Sequence, residues 1–252
     1  MILKIDGIAF SYNSHPVLDS VSFSIRPGEM VALCGVNGAG KSTLLRCILA
    51  LLNPTNGAVL IGDQNVRNMK TAERAQKMAW VPQKSPEMEL TVFDVVLLGR
   101  LPHGSSRPRL EDMKVVERVL DMLNLSHLST RPMRTLSGGE AQKVIIARAL
   151  ATLPRVLLCD EPTSHLDMKN QLDVMKLLNR VTISQKLATL VAIHDVNLAV
   201  RFCSRLLFLK DGRIFAALRP EELSEDVIEA VYGVKVSIVE GSEGRPLCIV
   251  PV

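Results

Sequence analysis

The chain has 252 residues, of which 47% are hydrophobic and 22% charged, a composition that can bury one large core or a core with a sub-domain. Its net charge of +4 and aromatic content of 4% give little support to a nucleic-acid partner. The sequence contains no run of about 18 apolar residues, so a membrane-spanning helix is not expected.

The remaining compositional features favour a cytosolic chain. The N-terminal MILKIDGIAF lacks a basic start followed by an apolar run, so it predicts no secretory signal. The five cysteines show no CxxC spacing, and Cys34 and Cys159 lie in apolar runs where cysteine behaves as a small hydrophobe. A reducing compartment fits this usage better than a disulfide scaffold.

In chain order, the first elements are strands. ILKIDGIAFSY and VLDSVSFSI alternate in period two, and Pro27-Gly28 predicts a turn before the strand MVALC. KSTLLRCILALL then carries a helical apolar face, and AVLIG and MAWVP have the pattern of strands.

The middle of the chain is predicted to be helical and the remainder to alternate again. TVFDVVLLGR, LEDMKVVERVLDML and EAQKVIIARALATL predict helices. RVLLCD and TLVAI are short buried runs typical of parallel sheets, with the helix KNQLDVMKLLNRV between them. A hairpin is predicted around Asp211-Gly212 and a capped helix from Ser224. The pattern indicates an α/β core, residues 1–86 and 153–252, interrupted by a helical insertion, residues 87–152.

Residues 35–42, GVNGAGKS, match GxxxxGK[ST] between an apolar strand and a predicted helix. The glycines let backbone N–H groups turn inward around a phosphate, and the helix dipole adds positive potential. Lys41 would reach the β- and γ-phosphates, and the Ser42 hydroxyl would ligate Mg²⁺. The motif predicts a nucleotide site without separating ATPases, GTPases and kinases.

A second candidate segment, which carries two carboxylates, follows the apolar run RVLLC. Asp160 and Glu161 come at the C-terminal end of this strand, where ligand chemistry gathers in open α/β sheets. Asp160 is placed to hold Mg²⁺ through water, and Glu161 to act as general base or water-orienting group.

Three single residues are candidates for the same site. His194 follows the strand TLVAI and could contact the γ-phosphate. Gln83 follows the strand MAWV and could reach Mg²⁺ or the attacking water. Tyr12 ends an early strand and could stack on adenine, which requires only a flat π-surface. An ordinary structural role is an open alternative for each of them.

The stretch LSGGE at residues 136–140 precedes a strong helix pattern. Ser137 and Glu140 have the spacing of a capping box, which needs no glycine at its two middle positions. Ser137 and the bare N–H groups of Gly138 and Gly139, at a helix N-terminus, also make a second anion site.

Taken together, these motifs resemble ATP-binding cassette (ABC) ATPases over essentially the whole chain. The phosphate loop, Gln83, LSGGE, the strand ending in Asp160-Glu161, Ser164-His165-Leu166-Asp167 and His194 follow the order found in that family. The resemblance implies a P-loop NTPase core with a small N-terminal antiparallel β sub-domain and an inserted helical sub-domain.

The resemblance also implies roles for individual residues. The residues implied to bind ATP are Tyr12, Gly35, Asn37, Gly38, Gly40, Lys41, Ser42 and Thr43. Those implied to bind Mg²⁺ are Ser42, Gln83 and Asp160. Those implied to take part in catalysis are Glu161, His194 and Gln83. Contacts to the ATP of a second protomer fall to Ser137, Gly138, Gly139, Glu140 and Asp167. His165 departs from the alanine that many members have, and we expect it to change contacts across a dimer without abolishing activity.

The LGRLPH run, residues 98–103, and the tail from Val231 resemble importers of iron-siderophores, haem and cobalamin. This implies a homodimer at the cytoplasmic face of a membrane, two separate permease subunits and a substrate-binding protein. Importers of zinc, manganese or molybdate share much of the pattern and are open alternatives. A soluble ABC ATPase of iron–sulfur cluster assembly or DNA maintenance is another. The short insertion, without heptads or cysteine pairs, argues against the DNA-repair forms.

Overall fold

The computed structural model describes residues 2–83, 89–104, 107–241 and 246–251. It divides the chain into two compact units: a first unit of residues 1–68 and 179–252, and a second unit of residues 69–178. The division into segments 1–86, 87–152 and 153–252 stays a prediction, and its boundary at residues 86 and 87 lies outside the described residues.

The strands are β1 (Leu3–Tyr12), β2 (His15–Ile25), β3 (Glu29–Cys34), β4 (Asn56–Ile61), β5 (Gln64–Asn65), β6 (Met78–Val81), β7 (Val156–Asp160), β8 (Ala188–Ala192), β9 (Arg205–Lys210), β10 (Arg213–Leu218), β11 (Val236–Glu240) and β12 (Pro246–Pro251). The helices are α1 (Lys41–Ile48), α2 (Thr71–Lys77), α3 (Val92–Leu97), α4 (Leu110–Met122), α5 (Gly138–Ala151), α6 (Met168–Ser184), α7 (Val196–Phe202) and α8 (Glu225–Tyr232).

Antiparallel pairing in the first unit joins β2, β1, β4 and β5 in that spatial order. Along β1 the apolar residues Leu3, Ile5, Ile8 and Phe10 are buried, with more exposed residues between them. The predicted period-two pattern holds on either side of a register shift between Ile5 and Ile8, and it follows from one face of the strand packing on the core. A small antiparallel sheet therefore forms at the N-terminus, as expected.

Parallel strands in the first unit carry the chain to the phosphate loop. The order there is β10, β9, β3, β8, with β3 parallel to both of its neighbours and β9–β10 closing an antiparallel hairpin. Residues 30–34 of β3 are all buried, which suits a strand that is covered on both faces.

The second unit contains the parallel pair β6 and β7 and the helices α2 to α5. Val81 lies opposite Cys159 in the register of that pair. Helix α5 packs against α3 and α4, and its apolar residues Val144, Ile145 and Leu150 are buried. Among the described residues of either unit, no helix has both the length and the apolar character needed to cross a membrane.

The LGRLPH segment differs from the single helix predicted for TVFDVVLLGR. Helix α3 ends at Leu97, and Leu98–His103 forms a 3-10 turn that contains Pro102. Gly99 approaches α5 so closely that a Cβ atom would lie 2.1 Å from the Arg148 carbonyl oxygen. The tighter turn therefore combines a local cause, Pro102, which cannot continue a regular helix, with the close contact of Gly99 with a distant helix.

Polar groups fix that turn against the C-terminal end of α5. Arg100 donates from Nε to Asp112 Oδ1 at 2.9 Å and from a guanidinium nitrogen to the Ala151 carbonyl at 2.8 Å. The Thr152 hydroxyl donates to the Gly99 carbonyl at 3.1 Å, and His103 Nε2 lies 2.9 Å from the Thr152 carbonyl. Arg100 and His103 thereby contact two carbonyl groups, those of Ala151 and Thr152, that lack helical partners at the end of α5.

The C-terminal region contains structure beyond what the sequence pattern predicts. Strands β11 and β12 form an antiparallel pair, and Asn197 of α7 binds the backbone of Ile249 in both directions, at 2.7 and 3.3 Å. Helix α8 begins after Ser224 as predicted, but the Ser224 side chain makes no capping bond. Residues 242–245 of the tail used in the family resemblance lie outside the described residues.

Candidate functional site

The predicted phosphate loop lies between β3 and α1 in the first unit. Helix α1 begins at Lys41, and its N-cap Gly40 has a φ of +103°. At Gly35 the φ is +149°, and a Cβ atom would lie 2.3 Å from the Leu209 carbonyl oxygen. Both positions therefore need glycine, the first for its backbone angle and the second also for its closeness to β9.

Lys41 is folded over the loop rather than extended into solvent. Its side chain is only 5% exposed, and Nζ donates to the Gly35 carbonyl at 2.7 Å and to the Val36 carbonyl at 3.0 Å. Thr43 is buried, Ser42 is partly exposed, and Asn37 and Gly38 are exposed at the tip of the loop. The ammonium group thus lies within the loop whose N–H groups would receive a phosphate.

Tyr12 and His194 lie on segments that lead to the same loop. Tyr12 is 42% exposed at the end of β1, edge-on to Phe10 with ring centroids 4.8 Å apart. The strand that follows it packs Val17 and Leu18 against Gly40. His194 is exposed two residues beyond β8, and the preceding Ile193 N–H donates to the Leu33 carbonyl at 3.1 Å. His194 therefore lies beside the end of β3.

In the second unit, strand register brings together two predicted catalytic residues. Gln83 and Glu161 each follow the paired Val81 and Cys159 by two positions. Gln83 Nε2 donates to Glu161 Oε2 at 2.6 Å, and Glu161 has a φ of +49°. Asp160, the last residue of β7, is 5% exposed. Because Gln83 uses its amide nitrogen here, its oxygen is the atom suited to a metal or water.

The predicted capping box at LSGGE is confirmed. The Ser137 side chain accepts the Glu140 N–H at 3.4 Å, while Glu140 Oε2 accepts the Ser137 N–H at 2.8 Å and its hydroxyl at 2.7 Å. These donors hold the pKa of Glu140 below its usual value. Helix α5 is thus capped reciprocally by both residues, as the spacing of Ser137 and Glu140 predicts.

The two signature glycines have different surroundings. Gly139 is buried, and a Cβ atom there would lie 2.1 Å from Asn170 Oδ1; at exposed Gly138 its nearest contact would be Leu166 Cδ2 at 3.6 Å. Asn170 in turn donates to both carboxylate oxygens of Asp167, each at 2.8 Å, and its backbone N–H lowers the pKa of that carboxyl group. Packing within the chain explains the glycine at 139 and leaves 138 unexplained.

Sequence reasoning missed Asn170 as the link between LSGGE and Asp167. The spacing of Asp167 and Asn170 is a local signal for an Asx hydrogen bond at the start of a helix. The contact of Asn170 with Gly139 has no local signal in the sequence. Tyr232 was also missed, although its hydroxyl accepts the N–H of Gly35 at 3.1 Å. These two residues are 197 positions apart, so no local pattern could reveal the contact.

Cys34 and Cys159 are packing residues, as expected from the apolar runs in which they lie. Cys34 and Cys159 are fully buried and unbridged. Burial raises the pKa of the Cys34 thiol to about 12, so the group stays protonated beside the phosphate loop. It contributes apolar volume there rather than a nucleophile.

The donor set proposed for Mg²⁺ fits a hard cation. Ser42, Asp160 and Gln83 offer a hydroxyl, a carboxylate and an amide oxygen, and Mg²⁺ binds through few protein oxygens while keeping several waters. Over the described ranges no cluster of three or more His, Cys, Asp or Glu side chains is suited to a metal.

Comparison with known proteins defines the class. Residues 18–164 match the ABC transporter family. The whole chain is 45% identical to an uncharacterized ABC transporter ATP-binding protein of Methanocaldococcus jannaschii, and the match covers 98% of that protein. It is 38% identical to a hemin import ATP-binding protein of Pseudomonas aeruginosa, over 98% of this chain and 99% of that one. The chain therefore belongs to the ABC transporter family.

Solved structures support the same assignment. A transporter described as of the metal-chelate type, in an inward-facing conformation, matches with a TM-score of 0.86 and 30% identity, covering 100% of this chain and 97% of that one. A dimeric bacterial ABC transporter cassette matches with a TM-score of 0.75 and 31% identity, covering 86% and 98%. The predicted fold class, resemblance and ATPase activity are confirmed, and the chain binds ATP.

Gly139→Ala tests the packing of the signature segment. The added methyl group would displace Asn170 and break its bond to Asp167, so we expect thermal unfolding to occur about 3–6 °C lower. Gly138→Ala, the matched control, should leave the midpoint unchanged or slightly raised because alanine favours a helix. Combining Gly139→Ala with Asn170→Ala should recover most of the loss. Equal midpoints for the two single variants would contradict the packing described here.

Proposed function

We propose that this chain is the ATP-hydrolysing subunit of an importer, dimerising around two ATP molecules to drive uptake of an iron-siderophore, haem or cobalamin. The observation that carries the proposal is the Gln83–Glu161 hydrogen bond at the ends of β6 and β7, together with a complete phosphate loop on the first unit. The relative named for hemin import and the metal-chelate type transporter support this class of cargo.

The first unit binds and orients the nucleotide. Tyr12 stacks on adenine, and Gly35, Asn37, Gly38 and Gly40 shape the loop that receives the phosphates. Lys41 exchanges its bonds to the Gly35 and Val36 carbonyls for phosphate oxygens, and Thr43 supports the start of α1. His194, beside the end of β3, contacts the γ-phosphate.

The second unit activates the water. Glu161 accepts a proton from the attacking water, and the Gln83 amide donates to one of its oxygens and so orients the carboxylate. Gln83 and Asp160, with Ser42 of the first unit as the third proposed ligand, would hold Mg²⁺, which would supply positive charge to stabilise the transferring phosphoryl group. Placement of the carboxylate on a rigid strand end reduces the reorganisation needed for reaction.

The signature segment acts on ATP held by a second protomer. Ser137 and Gly138 are exposed at the N-terminus of α5, and the nearest atom to a Cβ built at Gly138 would be Leu166 Cδ2, at an ordinary contact distance of 3.6 Å. Gly139, Glu140 and Asp167 support them through the capping box and the Asn170 bonds. The similarity to a dimeric cassette favours a homodimer, in which each site is completed by the partner.

The membrane partner is a permease formed by separate chains. On the second unit, a cavity of about 230 Å³ is lined mainly by apolar side chains, among them Leu97, Leu98 and Pro108. Leu101 in this lining is 64% exposed, and such a groove suits the apolar face of a short permease helix. The ATPase then lies peripherally at the cytoplasmic face, and a substrate-binding protein delivers cargo to the permease.

Glu161→Gln tests the base assignment. The amide cannot accept the water's proton, so kcat should fall by about 10²-fold or more while ATP binding persists. ATP should then hold the variant as a dimer, measurable by size-exclusion chromatography with light scattering. Glu117→Gln, an exposed residue of the same unit, is the matched control and should behave like wild type. Near-normal turnover in Glu161→Gln would refute the role.

Mixing two inactive variants tests the shared site. Ser137→Arg should spare ATP binding and block turnover, and Lys41→Ala should lose nucleotide binding. A 1:1 mixture forms heterodimers with one intact composite site, so about a quarter of wild-type turnover should return. Normal hydrolysis by Ser137→Arg alone, or no recovery on mixing, would contradict a site shared between protomers.

Import itself is tested with the cognate permease. The chain should co-purify with a polytopic membrane protein and drive ATP-dependent uptake into vesicles of a ferric siderophore, haem or cobalamin. Glu161→Gln in the same vesicles is the control for uptake without hydrolysis. Recovery with soluble partners or DNA alone would favour the soluble ABC ATPases, and uptake of zinc, manganese or molybdate alone would reassign the cargo.

A further inference from the structure

The first glycine of the phosphate loop is held from both sides by distant parts of the first unit. The Gly35 N–H donates to the Tyr232 hydroxyl at 3.1 Å. On the other side, the Leu209 carbonyl of β9 leaves no room for a Cβ atom. The start of the loop is therefore fixed by a strand and by the C-terminal helix α8, neither of which carries a nucleotide motif.

Packing around α8 fixes the position of the Tyr232 hydroxyl. The Tyr232 ring meets Phe208 edge-on, with centroids 6.5 Å apart. Lys210 Nζ donates to the Ala230 carbonyl at 2.7 Å, and the Gly233 N–H closes the helix on the Glu229 carbonyl at 2.8 Å. Burial raises the pKa of Tyr232 well above its usual range, so the hydroxyl remains neutral.

The hydrogen bond between the Gly35 N–H and the Tyr232 hydroxyl does not involve Lys41. Lys41 holds the Gly35 and Val36 carbonyls, and under the proposed function its ammonium group exchanges those contacts for phosphate oxygens. The bond to Tyr232 uses the Gly35 N–H instead, so the exchange does not require that bond to break. A loop already fixed in its binding conformation loses less entropy when the ligand arrives.

We propose that Tyr232 is a positioning residue for ATP: its hydroxyl, contributed by the C-terminal helix, holds Gly35 so that the phosphate loop is preformed when Lys41 releases it. The inference rests on the proposed role of residues 35–42 in ATP binding. Tyr232 acts through the Gly35 backbone and does not touch the nucleotide. Loss of its hydroxyl therefore affects binding more than the chemical step, which Glu161 carries out.

Tyr232→Phe is the direct test, because it keeps the ring against Phe208 and removes only the acceptor for the Gly35 N–H. We expect the Kd for a fluorescent ATP analogue and the KM for ATP to rise about 5- to 10-fold, with kcat changed by less than about twofold. Lys210→Met keeps the hydroxyl but loosens α8, so a smaller rise in KM is expected.

Thr182→Val is the matched control within the same unit. Its hydroxyl pairs with that of Thr189 at 2.7 Å, and both residues are fully buried. The variant also deletes one buried hydroxyl bond, but far along the chain from the loop. We expect a lower unfolding midpoint with an unchanged KM for ATP, which separates a stability effect from loop positioning.

The outcomes distinguish this inference from the proposed function. An unchanged KM in Tyr232→Phe, or a fall in kcat alone, would overturn the positioning role. So would a rise in KM that Thr182→Val reproduces. If Lys41→Ala binds the nucleotide as tightly as wild type, the proposed role of the loop itself fails. Loss of binding in Lys41→Ala with no effect in Tyr232→Phe would overturn only the role of Tyr232.

Discussion

Burial of the Lys41 ammonium group is the constraint on which the nucleotide site of the first unit depends. A charge that is 5% exposed must be met by oxygen atoms, and the Gly35 and Val36 carbonyls meet it. These two bonds fix the conformation of the Gly35–Asn37 backbone at the start of the loop. The contacts that stabilise the buried lysine therefore also determine the shape of the predicted phosphate loop.

Strand register plays the corresponding role in the second unit. Gln83 and Glu161 meet because β6 and β7 pair in parallel with Val81 opposite Cys159. A shift of one residue in that pairing would turn one side chain to the opposite face of the sheet. The full burial of Cys159 and Val81 fixes the register, so apolar packing determines the geometry of two polar groups that are predicted to be catalytic.

Features that depend on neighbours in the sequence could be predicted, and those that depend on approach between distant segments could not. The turn GVNGAGKS, the acids at the end of β7 and the Ser137–Glu140 box are set by local backbone geometry. The close contact of Gly99 with α5, the contact of Asn170 with Gly139 and the bond of Tyr232 to Gly35 arise only when remote elements pack. Propensity cannot reveal such contacts because it measures each segment alone.

Helix α5 joins two of these features along one rigid axis. Its first turn carries the capped signature, while its last carbonyl groups are bound by Arg100 and His103 and neighbour the close approach of Gly99. Fourteen helical residues span about 21 Å at ~1.5 Å per residue. The helix contains no glycine or proline between these ends that would act as a joint. A displacement of the 3-10 turn at the C-terminal end of α5 would therefore move Ser137, at the other end, as part of the same rigid helix.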